Sequence, residues 1–169
     1  MHSYLYFSVP RLLLLLLMPV LVGAAQARCF DEAGIKYGID PLLLNAIAQV
    51  ESAMNPQAIN LNRNGTQDLG LMQINSSHLE RLRKIGVTRE KLLTDACLSV
   101  MVGAEILAGF IAQFGYTWRA VGAYNAGGES RREKIRERYA RKVGREYNRL
   151  SAGLTKIAPP ENILSALDR

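Results

Sequence analysis

Hydrophobic positions change their period several times along the chain, and each change marks an element. Residues 12–22 are an unbroken apolar run behind Arg11, followed by Ala25-Gln26-Ala27. A positive charge, an apolar stretch and small residues in that order define an export signal over 1–27. The run has about half the ~20 residues needed to cross a bilayer core, so no stable membrane anchor is expected. Phe30 to Tyr37 reads as a short helix stopped by Gly38. Asp40, an N-cap, and Pro41, suited to the first helical position, open a second helix to about Ala53. On its apolar stripe Leu44, Ile47 and Ala48 are followed, at helical spacing, by Glu51. A carboxylate thus occupies a core-facing position. Burial disfavours its charged form and raises its pKa, as a general acid near neutral pH requires.

Beyond Glu51 the periodicity fades into turn formers, Asn60-Leu-Asn-Arg-Asn-Gly-Thr-Gln-Asp68, which predict a loop or a small hairpin around Asn64-Gly65. The segment Leu69 to Asn75 follows, with Gly70 permitting close backbone approach and Gln73 and Asn75 offering amide groups. Asp68 either caps the turn into Leu69-Gly70 or reaches the same cleft as Glu51. Ser76 or Ser77 caps a helix to about Lys84, and Thr88 starts a short turn. Asp95 caps the longest apolar helix, to about Phe114, expected as the central core element. Glu105 lies on its apolar spacing, a second core-facing carboxylate expected to pair with a loop N–H or a Tyr hydroxyl. Thr117 caps a helix from Trp118 to about Tyr124, which ends at Gly127-Gly128 with Tyr124 and Asn125 beside the opening. A basic helix over about Glu129 to Leu150 closes one domain spanning 28–150, and 151–169, with Pro159-Pro160, reads as a flexible tail.

The full chain has 169 residues, 49% of them hydrophobic, enough for one well-buried domain. Its two cysteines, Cys29 and Cys97, would meet an oxidising compartment after export, which favours a single disulfide. The two histidines are His2, inside the signal, and an isolated His78. That leaves no metal-binding cluster and no Ser-His or Cys-His nucleophile to build a mechanism on, and no cofactor is called for. The net charge of +6 is concentrated late: Arg131 to Arg149 holds nine Lys/Arg against Glu133, Glu137 and Glu146. In an exported protein such a stripe suits a polyanionic envelope or an acidic partner better than nucleic acid, and an ordinary solvated helix face fits it equally well. Arg131, Arg132 and Arg136 are the expected attachment residues.

Three segments, Ala48-Gln-Val-Glu51-Ser-Ala-Met-Asn-Pro56, Gly70-Leu-Met72-Gln73-Ile-Asn75 and Ala123-Tyr124-Asn125-Ala-Gly127, resemble in order and separation the transglycosylase SLT domain, the soluble lytic transglycosylase family related to goose-type lysozyme. The likeness covers about residues 29–145 and is closest to the specialised members carried by secretion and conjugation systems. It implies a mostly α, lysozyme-like fold and cleavage of the β-1,4 bond between N-acetylmuramic acid and N-acetylglucosamine in peptidoglycan glycan strands. Glu51 then matches the catalytic acid. Met72, Gln73 and Asn75 match the cleft-lining motif, and Tyr124 and Asn125 the motif facing the acid. The implied route is lytic, with a 1,6-anhydromuramyl product, and needs no second carboxylate. Asp68, which many members lack, keeps a muramidase-type hydrolase using Glu51 and Asp68 in view. A non-catalytic glycan-binding assembly factor is the other alternative. A partner in a secretion or conjugation machine, docked through 131–149, and a periplasmic location complete the expectation.

Overall fold

The computed structural model describes residues 28–157, so the export signal expected over 1–27 and the part of the tail beyond 157 lie outside the described residues. The chain is mostly helical, with one small sheet. Residues 28–37 form α1, and Cys29 on it is joined to Cys97 by a disulfide with Cα atoms 5.0 Å apart. Helix α2, Pro41–Ser52, begins as its sequence dictates: the Asp40 carboxylate accepts from the Leu42 N–H, and Pro41 sits at the start. It buries Leu43, Leu44, Ala46, Ile47 and Ala48.

The polar region folds into a three-stranded antiparallel sheet, β1 (Ile59–Leu61), β2 (Gln67–Leu69) and β3 (Ile74–Asn75) in that order. The hairpin expected around Asn64-Gly65 is the β1–β2 turn, with Gly65 at φ +82° and the Asn64 side chain accepting the Thr66 N–H. In register Asp68 stands opposite both Asn60 and Asn75. Two short helices follow, α3 (Leu79–Arg83) and α4 (Arg89–Thr94), the second capped by Thr88.

Helix α5, Ala96–Phe114, is capped by Asp95. Among the described residues it alone is long and apolar enough to cross a membrane, yet Val100, Val102, Ala104 and Leu107 are buried in the core. Helix α6, Trp118–Ala126, packs on α5, and α7, Glu133–Ile157, packs along both α6 and α2. α7 runs seven residues past the expected Leu150, into the stretch read as tail. Ser151 to Ile157 holds no proline and a single glycine, Gly153, and helix once formed propagates cheaply. Glu105 departs from expectation: its carboxylate takes an Arg81 ion pair at 2.6 Å, with its side chain 36% exposed. Its spacing places it at the edge of the apolar stripe, where solvent and a cation are both in reach.

Candidate active site

A groove of about 600 Å³ runs between the sheet and the end of α6. Its walls carry Glu51 from α2, Asp68 from β2, Gln73 and Asn75 from the β2–β3 region, and Tyr124 and Asn125 from α6. Six of the seven residues that the sequence selected for chemistry or binding thus meet around one cavity. Met72 does not: it is fully buried and packs against α5 so closely that a Cβ on Gly103 would lie 2.8 Å from its methyl carbon. The whole run from Leu69 to Met72 is buried, so the Met72 side chain belongs to the core and the residue contributes through its backbone instead.

That backbone is the hub of the site. The Met72 N–H donates to Ser99 Oγ at 3.1 Å, and its carbonyl accepts from Tyr124 Oη at 2.8 Å. The Leu71 carbonyl accepts from Ser52 Oγ at 2.7 Å, directly beside Glu51. Gln73, at φ +49°, donates through Nε2 to the carbonyls of Ala58 and Gly70 at 3.1 and 2.8 Å. Gly70 is required here: its φ is +73°, and a Cβ would stand 2.2 Å from the Leu92 carbonyl oxygen. The motif residues therefore spend much of their polarity locking one turn against α2, α5 and α6. What is left for the groove is the Gln73 carbonyl end and the Asn125 side chain; Asn75 also lines it, with its Nδ2 on Asp68 and its Oδ1 taken by the Ser77 N–H.

Glu51 lies in the last turn of α2, mostly buried, and burial pushes its pKa up to about 7. The nearby Asp68 charge pushes the same way, while a hydrogen bond from Tyr139 and the Lys142 ammonium oppose it. Tyr139 Oη donates to Glu51 Oε1 at 2.5 Å, and Tyr139, mostly buried, has its own pKa raised well above the usual value, first by burial and then by the Glu51 charge. Immediately after the helix, Ala53 and Met54 both adopt left-handed backbone, φ 51° and 66°, a conformation that costs non-glycine residues energy and that clusters at functional sites.

Asp68 sits in a polar lattice. Its two oxygens accept from Asn75 Nδ2 at 2.7 Å and Asn62 Nδ2 at 3.0 Å, and both amides also donate to Thr66 Oγ1 at 3.1 Å. It is held on the groove wall by its sheet partners and does not cap the turn into Leu69-Gly70.

The sequence reading missed Tyr139, which sits in the charge-rich stretch 88 residues from Glu51. The available signal was the apolar stripe Tyr139, Val143, Tyr147 at four-residue spacing inside that stretch. The three arginines expected to act together are separated. Arg136 is fully buried, where its guanidinium pairs with Glu133 and donates to the carbonyls of Gly127 and Glu129 at 2.7 and 2.8 Å. A long side chain on the packed face of α7 was counted with the charge run around it. Arg131 pairs with Glu129 in solvent, and Arg132 lines the groove.

A buried carboxyl with a raised pKa, set on a polar groove in a helical frame, has the form that acid-catalysed cleavage of a glycosidic bond requires. Residues 28–146 match the model of the transglycosylase SLT domain. The chain belongs to that family and is a peptidoglycan lytic transglycosylase by class. It is 51% identical over 129 residues to invasion protein IagB of Salmonella typhimurium, a match spanning 76% of this chain and 81% of that one. It is 46% identical over 127 residues to protein IpgF of Shigella flexneri, spanning 75% and 84%. The X-ray structure of an inactive mutant of lytic transglycosylase Slt from Pseudomonas aeruginosa superimposes with a TM-score of 0.60 at 22% identity. That match covers 79% of this chain and about a quarter, 24%, of that protein, and it establishes the lysozyme-like fold.

Proposed function

We propose that Glu51 is the catalytic acid and base of a lytic cleavage that leaves a 1,6-anhydromuramyl end, and that Asp68 stabilises the cation formed on the way. The observation that carries the reading is the buried Glu51 carboxyl, held at about pKa 7 at the groove and fixed by Tyr139. Neutral Glu51 donates its proton to the glycosidic oxygen as the bond to the anomeric carbon breaks, and the N-acetylglucosamine leaves with a new hydroxyl. The resulting carboxylate accepts the proton of the muramic acid C6 hydroxyl, whose oxygen closes on the anomeric carbon. Water is not consumed, and Glu51 ends protonated for the next cycle. Asp68 keeps its carboxylate oriented by Asn62 and Asn75, a preorganised negative group for the developing oxocarbenium charge.

The substrate is the glycan strand of peptidoglycan, and the place of action is the periplasm, consistent with the export signal expected over 1–27. The likeness to IagB, an invasion protein, supports work beside a secretion or conjugation machine that needs a local opening in the wall. The test is mass spectrometry of peptidoglycan digested by the purified enzyme. Mainly 1,6-anhydromuramyl products are expected, whereas reducing-end muramic acid, heavier by one water, would make the enzyme a hydrolase using Glu51 and Asp68.

A further inference from the structure

Two arginines line the groove from different elements and, among the described residues, have no counter-ion. Arg63 lies in the β1–β2 turn and Arg132 in the 3-10 turn, Ser130–Arg132, that precedes α7, and both line the groove and are exposed. Among the described residues neither has an ion pair, a state they share with surface arginines such as Arg83 and Arg138, but of the described arginines these two line the groove. The 127–129 loop is not slack either: Arg136 clamps its carbonyls from beneath, so Arg132 starts from a fixed backbone. On the other wall the Asn62 and Asn64 side chains brace the turn that carries Arg63.

An unpaired guanidinium at the mouth of a concave site presents a planar fork of donors suited to carboxylates, and its field is focused by the groove. The groove's own carboxylates do not consume these donors: Glu51 is held by Tyr139 and Asp68 by two amides. Glycan strands are built of sugars, but the muramic acid units carry peptide arms that end in free carboxylates. We infer that Arg63 and Arg132 bind the carboxylates of these peptide arms, so that the enzyme is selective for peptide-bearing strands. This inference rests on peptidoglycan being the substrate. It adds recognition of the peptide to a site whose remaining groups, the Gln73 carbonyl end and Asn125, belong to neutral amides suited to sugar.

The test compares native peptidoglycan with the same material after its peptide carboxyls have been converted to amides, which removes charge and keeps the arms. Wild type should show a KM raised about tenfold on the amidated material with kcat little changed, the order expected for two solvent-exposed charge pairs. R63Q/R132Q should show the raised KM on both materials and no further rise on amidation, and R63K/R132K should recover part of the difference in a salt-sensitive manner. Equal KM for wild type on both materials, or an undiminished response to amidation in R63Q/R132Q, overturns the inference. Sedimentation of Glu51→Gln protein with the two materials reads binding without turnover. A wild type that cleaves neither material while its Glu51→Gln variant still discriminates between them would sink the lytic reading and leave this one standing.

Discussion

At the scale of single residues the site turns on how Glu51 holds its proton. Its pKa of about 7 against an ordinary 4.5 means that the folded state binds a proton the unfolded chain has released. A raised carboxyl pKa gives stability that is full below pH 4.5 and is lost as pH rises through 7. The difference corresponds to roughly 3 kcal/mol. Denaturant unfolding at a series of pH values should therefore show wild type losing stability between these limits relative to Glu51→Gln, with a flat difference counting against a buried acid. Activity follows the same proton and should fall about tenfold per pH unit above 7. Tyr139 opposes the elevation by donating to the carboxylate. Tyr139→Phe should move the alkaline limb of the pH profile upward and lower kcat by about tenfold, and an unmoved limb would show that the hydroxyl does not tune the acid. Glu51 was legible because a charge interrupts an apolar stripe. Tyr139 was hidden because a helix with many charges was read by its charges.

At the scale of elements, α2 is gripped at both ends by α7. Tyr147 Oη donates to the Asp40 carboxylate at 2.6 Å and Tyr139 Oη donates to Glu51, so the two helices run antiparallel and the acid is placed by the same packing that fixes the N-cap. α7 in turn sits on α6 through Gly122, where a Cβ would come within 2.5 Å of the Arg136 carbonyl oxygen. Neither backbone can yield easily. Gly122→Ala should cost about 1–3 kcal/mol as an overpacking change and lower kcat as well, because Tyr139 lies one turn beyond Arg136. An unchanged unfolding midpoint would mean that the helices part freely. Helix starts were readable from Asp40, Thr88, Asp95 and Thr117, each of which accepts the backbone N–H its position calls for. The three-strand sheet was legible only as a hairpin. β3 has two residues, Ile74–Asn75, too few for any alternation, and the Asn75 side chain adds a bond to Asp68, its partner across the register.

At the scale of the whole molecule, the wall of the groove that carries Asn125 and Arg132 is held by a buried arginine, and the N-terminal helix by one disulfide. Replacing Cys29 and Cys97 by Ser should lower the unfolding free energy by roughly 2–5 kcal/mol, measured by urea denaturation, and should leave the groove intact because both sulfurs lie outside it. The lysozyme-like class followed from three short motifs, yet those motifs did not tell which of their letters face substrate. Met72 is core, and Gln73 and Tyr124 are largely committed to the turn around it. Such division between holding and binding depends on hydrogen bonds between distant segments, which local periodicity does not record. The account as a whole stands on Glu51 acting as the proton donor. The most direct measurement is the rate of glycan release from purified peptidoglycan by Glu51→Gln, with far-ultraviolet circular dichroism to establish that the variant is folded. The account predicts a folded protein slowed by at least about 10²-fold, and turnover at the wild-type rate would contradict it.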